Sequence, residues 1–153
     1  MIKILLQDDY LHTATSLAEI AECFDLEKDK WLVTACEHSL NGIDCVRPFY
    51  PKYNKKIYLG KNTISSPSVL TIINDDPLLF DDNLIWLMDC DYYKRCYDRY
   101  GEPKILNKIN VVNRVGSHQV TSTLVDDESV KKEVAYVKNK YRKIWFTSML
   151  RRF

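Results

Sequence analysis

The sequence predicts an α/β domain, and three observations carry that expectation. Apolar runs of strand length recur at residues 2–6, 31–36, 69–73 and 105–112. Stretches with apolar residues at helical spacing alternate with them. The 153 residues, 46% of them hydrophobic and 28% charged, suffice for one buried core. This composition excludes disordered, collagenous and low-complexity chains.

Met1 leads directly into Ile2-Lys3-Ile4-Leu5-Leu6, a run so apolar that it reads as a buried, central strand of a parallel sheet. Gln7-Asp8-Asp9 follows it. Residues 13–24 read as a helix, with Thr13 or Thr15 as N-cap and Leu17, Ile20, Ala21 and Phe24 on one face. Trp31 to Cys36 is the next strand, so the first 36 residues form a strand–helix–strand unit. Residues 38–66 carry Asn41-Gly42, Pro48, Pro51, Asn54 and Gly60 and read as long loops with short strands.

Val69 to Ile73 is a strand closed by Asn74-Asp75-Asp76-Pro77. Residues 90–100 form a helix that ends at Gly101. Ile105 to Val112 alternates as a strand does. Residues 127–150 form the last helix, with Val130, Val134, Val137, Tyr141, Ile144 and Trp145 along one stripe.

The net charge of +1 argues against bulk capture of nucleic acid. It conceals an asymmetry. Residues 131–153 hold eight Lys or Arg and one acid, Glu133, whereas the rest hold 14 basic and 20 acidic residues. The five cysteines form no CxxC pair and read as free thiols of a reducing cytoplasm. No signal peptide is read ahead of the first strand, and no apolar run reaches the ~18 residues of a membrane span.

The candidate chemistry lies in carboxylates. Asp8 and Asp9 follow the first strand, at the end where open α/β sheets bind ligands. Two adjacent acids there suit a hard divalent cation, Mg²⁺ or Mn²⁺, but the commoner role of such a pair, taken alone, is capping of the following turn. Asp81 and Asp82 precede a second cluster, Asp89-Cys90-Asp91, at the start of a helix. A carboxylate there caps free N–H groups, or takes a proton from an acceptor hydroxyl. Spacing does not separate these roles. His118, in a polar loop, is a candidate ligand through its neutral imidazole.

Taken in order, these pieces make a resemblance. Gln7-Asp8-Asp9-Tyr10-Leu11 is followed by Val33-Thr34-Ala35-Cys36, then by Asn62-Thr63-Ile64-Ser65-Ser66-Pro67-Ser68-Val69 and Phe80-Asp81-Asp82-Asn83-Leu84. Asp89-Cys90-Asp91-Tyr92-Tyr93-Lys94-Arg95, Gly101 and His118 complete the series. Over about residues 2–125 the chain resembles the second half of a family 2 glycosyltransferase of the GT-A fold.

The resemblance implies a partial GT-A, three-layer fold, a mixed sheet flanked by helices. Residues 1–125 would be the C-terminal half of the catalytic domain, and 126–153 a basic helical region packed on it or extending from it. It implies a nucleotide-sugar donor, a glycan or lipid-linked acceptor, and Mn²⁺ or Mg²⁺ held by Asp8 with His118 in support. Asp89 would be the general base of an inverting transfer, and Asp9, Asp82, Asp91 and Arg95 would contact substrate. The chain departs from the family pattern at Leu6, where the first acid of the metal motif is expected, and at Met88, where Glu often precedes the base.

The resemblance also implies that the nucleotide-binding half is missing and that one sheet edge is bare. The expected consequence is self-association, or a partner chain, through the first strand. A non-catalytic half-domain that assembles in this way is the alternative function. The basic tail reads as a core-facing stripe of Val137, Tyr141, Ile144, Trp145 and Met149, or, through Trp145, Phe146, Leu150 and Phe153 among its cations, as a peripheral contact with the anionic inner face of the membrane.

Overall fold

The apolar stretch at Trp31 seeds the middle of the sheet. A computed structural model describes the backbone of residues 1–116 and 125–150, with side chains described up to residue 142. In chain order the elements are β1 (Ile2–Lys3), β2 (Tyr10–Leu11), α1 (Ser16–Cys23), β3 (Trp31–Ser39), β4 (Cys45–Phe49), β5 (Leu70–Ile72), α2 (Met88–Tyr100), β6 (Lys104–Arg114) and α3 (Asp127–Leu150). Single-turn 3₁₀ helices lie at Ile57–Leu59 and Pro67–Val69. The chain is a mixed α/β structure.

The sheet runs β1-β5-β3-β6-β2, and β4 also pairs with β3. β3 and β6 are parallel over a long register, from Leu32 opposite Lys104 to Ser39 opposite Arg114. β5 lies antiparallel to both β3 and β1. β1, β3 and β6 therefore share one direction, and their carboxyl ends open on one side of the sheet.

Residues Trp31 to Cys36 are all buried, as a strand covered on both faces must be. Leu32 packs with Ile20 and Phe24 of the α1 segment on one face. Trp31, Val33 and Cys36 pack on the other with Cys90, Tyr93 and Cys96 of α2 and with Val137 and Tyr141 of α3. The expected α1 stripe is narrower than its spacing suggested. Ile20 and Phe24 are buried, whereas Leu17 and Ala21 are exposed. Thr15 holds the N-cap position, but its hydroxyl goes to Glu19 instead of a backbone N–H.

α2 carries Asp89 and Asp91 in its first turn and Arg99 in its last, as the helix dipole favours. It stops at Gly101, whose φ of +84° suits a residue without Cβ. The Gly101 carbonyl accepts the Trp31 Nε1–H at 2.9 Å, which ties the end of α2 to the start of β3.

The first apolar run corrects the sequence reading. It is a two-residue strand at the sheet edge, paired with β5 alone among the described residues. Past Lys3 the chain leaves the ladder. Ile4 N–H still reaches the Leu70 carbonyl, but Leu6 N–H turns to the Ser68 hydroxyl at 2.9 Å. Leu5 and Leu6 are consequently exposed. Lys3 is folded inward, and its ammonium donates to the carbonyls of Ile4, Ser68 and Leu70.

α3 is fixed by specific polar contacts. Asp91 is wholly buried and meets Arg95 Nε at 2.7 Å, Lys140 Nζ at 2.9 Å and the Tyr141 hydroxyl at 2.7 Å. Lys140 also reaches Asp81 at 2.7 Å. Of the described part of the apolar stripe, Val137 and Tyr141 lie in the core, Val134 packs against it half-buried, and Val130 is half-buried outside it. No described helix is long and apolar enough to cross a membrane. All five cysteines are free.

Candidate functional site

At the carboxyl ends of β1, β3 and β6 a cavity of about 960 Å³ opens. Asp8 and Asp9 enter it from the loop after β1, His38 from β3, and Asn113 and Arg114 from β6. Asn62, Ser65 and Ser66 enter from the turn ahead of β5, and Asp89 from the first turn of α2. Apart from Gln7 its remaining wall is apolar, with Phe49, Ile85, Trp86 and Met88 among the lining side chains.

Asp8 is exposed on the cavity wall. Asp9 turns inward. Its Oδ1 accepts the Arg114 N–H at 2.8 Å, and its Oδ2 lies 3.2 Å from the Ser66 hydroxyl. The Ser66 hydroxyl also lies 2.9 Å from Asn113 Oδ1. Asn113 Nδ2 donates to Ser65 Oγ at 2.8 Å and to Cys36 Sγ at 3.3 Å. Burial pushes the Cys36 thiol up, so it behaves as a small apolar filler and not as a thiolate nucleophile.

Asp89 is half-buried. Its Oδ1 accepts the Cys90 N–H and its Oδ2 accepts Asn62 Nδ2, both at 2.6 Å. Desolvation raises the Asp89 carboxyl above the ordinary aspartate range, against the opposing pull of those two donors. A carboxylate raised in this way is a better proton acceptor near neutral pH than an ordinary one.

The segment that delivers Asp89 is held from α3. The Glu133 carboxylate accepts the N–H groups of Ile85, Trp86 and Leu87 at 2.8–3.2 Å. The Leu87 N–H is one of the donors that a helix leaves unsatisfied at its start, and those of Ile85 and Trp86 lie in the turn leading into it. Glu133 thus caps α2 from across the fold, where Leu87 at the N-cap has no side chain able to do so.

The structure brings Asp8, Asp9 and Asp89 to one cavity. Asp91 and Arg95 do not line it. They belong to the buried network that docks α3. Asp82 is exposed and outside the lining. His118 falls outside the described residues. Sequence reasoning missed Asn62, Ser65, Ser66, Asn113 and Glu133 as parts of the site. Two signals were present: the Asn-x-x-Ser-Ser-Pro turn, and the single acid in a basic tail.

Among the described residues no group of three His, Cys, Asp or Glu side chains is arranged to hold a metal ion. Among the described lining residues Asp8 alone has an exposed side chain carrying a carboxylate. One carboxylate does not make an all-protein cage; it suits Mg²⁺, which keeps several waters and is bound through one or two carboxylates. Compared with family models, curated proteins and solved structures, the chain matches none.

Proposed function

We propose that the chain is a GT-A-type glycosyltransferase, or a fragment of one, transferring a sugar from a nucleotide-sugar donor to an acceptor hydroxyl. The observation that carries this reading is the convergence of Asp8, Asp9 and Asp89, from distant parts of the chain, on one cavity at the carboxyl ends of three co-directional strands.

Asp89 takes the proton of the acceptor hydroxyl. The acceptor oxygen bonds to the sugar's anomeric carbon, whose bond to the diphosphate breaks, and the nucleoside diphosphate leaves with that electron pair. Asp8, with His118 in support as the resemblance implies, would hold Mn²⁺ or Mg²⁺, which would supply positive charge for the leaving diphosphate. Asp9, locked to Ser66 and the Arg114 N–H, shapes the loop that presents Asp8. Asp82 remains a candidate substrate contact at the protein surface. A cytoplasmic setting, with the basic tail against the inner face of the membrane, accompanies this reading.

A second reading has its own observation. β1 is an edge strand with Met1, Leu5 and Leu6 exposed beside it, an arrangement that favours pairing with another chain. A non-catalytic half-domain that assembles through this edge is the rival.

Incubation with UDP- and GDP-sugars, Mn²⁺ and a panel of sugar and lipid-linked acceptors tests the first reading. Acceptor-dependent release of nucleoside diphosphate, lost in Asp89→Asn, is expected. Release without acceptor points to a hydrolase. No release, together with a stable oligomer by light scattering, favours the rival.

A further inference from the structure

We infer that Asn62 is a positioning residue for Asp89, and that the turn it closes couples the Asp89 carboxyl to Asp9 across the cavity. This inference rests on the glycosyltransferase reading for its catalytic meaning and on geometry for everything else.

Every hydrogen-bonding site of the Asn62 amide is engaged. Its Oδ1 accepts the N–H groups of Ile64 and Ser65, both at 2.9 Å. Its Nδ2 donates to the Ser65 carbonyl at 3.0 Å and to Asp89 Oδ2 at 2.6 Å. An amide has two donors and two acceptor lone pairs, so the set is complete. Rotating the amide by half a turn would set its NH₂ against two N–H groups and its oxygen against a carboxylate. The side chain therefore has one orientation, and that orientation aims a donor at Asp89.

The turn is held as firmly as the amide. Ser65 has φ of +99°, a conformation that L-residues rarely adopt and that persists where surroundings over-determine it. Here the surroundings do. The single Tyr93 O–H is shared between the Ser65 and Ser66 carbonyls at 3.1 and 2.9 Å, and Asn113 Nδ2 donates to Ser65 Oγ. The next residue, Ser66, reaches Asp9. A continuous path thus runs from Asp89 through Asn62 and the strained turn to Asp9, next to the proposed cation ligand Asp8. With Cys90 N–H on its other oxygen, the Asp89 carboxylate is fixed at both ends.

Asn62 lowers the Asp89 titration midpoint against the desolvation that raises it. The other ionisable or charged groups around Asp89 are Asp8, Asp9, His38 and Arg114 in the same cavity, Cys90 and Tyr93 on α2, and Glu133, which caps its helix.

The test is a ¹³C NMR titration of the Asp89 carboxyl in the full chain. Asn62→Ser and Asn62→Asp both keep a side-chain oxygen for the turn's N–H groups. The first removes the donor to Asp89, and the second replaces it with a like charge. The expected result is an upward shift of the Asp89 midpoint by roughly one unit in Asn62→Ser and by more in Asn62→Asp. In wild type the Asn62 side-chain NH₂ resonances are expected to titrate with the same midpoint. That readout stands even if both variants unfold.

An unshifted midpoint in a folded Asn62→Ser, or wild-type NH₂ resonances blind to Asp89, would overturn the inference. Where transfer is measurable, kcat falls at least about tenfold in Asn62→Ser with donor KM nearly unchanged. A chain that transfers no sugar contradicts the glycosyltransferase reading, and the NMR titration still decides the positioning.

Discussion

Glu133 Oε2 accepts the Leu87 N–H at 2.8 Å, and through this contact the last helix sets where the candidate base stands. Glu133 is the one acid among eight basic residues in 131–153. Its carboxylate is buried against the N-terminus of α2, two residues ahead of Asp89. The basic tail is thus tied to the site through its single negative charge.

Removing that carboxylate leaves the Ile85, Trp86 and Leu87 donors without their cap. Glu133→Ala is expected to destabilise the fold by about 2 kcal/mol, at the upper end for a lost helix cap. Glu133→Gln retains one acceptor oxygen and should lose less. Urea denaturation followed by far-UV circular dichroism measures both. Equal stability of Glu133→Ala and wild type would contradict the capping role.

The Asp91 network gives a second prediction. Lys140→Met strands a wholly buried carboxylate with Arg95 and Tyr141 alone, and a cost of about 3 kcal/mol is expected. Lys132 pairs with Glu128 at 2.7 Å on the exposed face of the same helix. Lys132→Met is expected to change stability by less than about 0.5 kcal/mol. Denaturant midpoints of the two variants make the comparison.

Acid should loosen the same contact. Burial would raise the Asp81 carboxyl, but donors from Lys140, Asn83 and Tyr136 outweigh it and hold the group well below the usual range. A carboxyl depressed in the folded state stabilises fully above its unfolded midpoint of about 4 and loses that contribution as pH falls below it. Stability is therefore expected to drop between about pH 4 and pH 2, and to drop less in Lys140→Met. Urea midpoints across that range test the sign.

Much of the fold was legible because its signals are local. β3 announced itself as an unbroken apolar run, and α2 as acids at one end and Gly101 at the other. β1 misled, because an apolar run carries no mark of having a neighbour on one side alone. The exposure of Leu5 and Leu6 follows from pairing, which is a property of the whole sheet.

The site divides in the same way. Asp8 and Asp89 stood out as acids at a strand end and a helix start. The Asn62 to Asp89 bond joins residues 27 positions apart, and the Glu133 to Leu87 bond joins residues 46 apart. No local pattern encodes such contacts. Asp91 and Arg95 shared the helix turn of the candidate base and were read with it. α3 draws them away, because Lys140 and Tyr141 come from the far end of the chain.

The most direct test of the central claim is calorimetric titration of the chain with UDP and with GDP, with and without Mn²⁺. The account predicts binding of one of these nucleotides that requires Mn²⁺, is abolished by Asp8→Ala and is retained in Asp91→Asn. Absence of binding with Mn²⁺ present, or binding indifferent to Asp8→Ala, would contradict it.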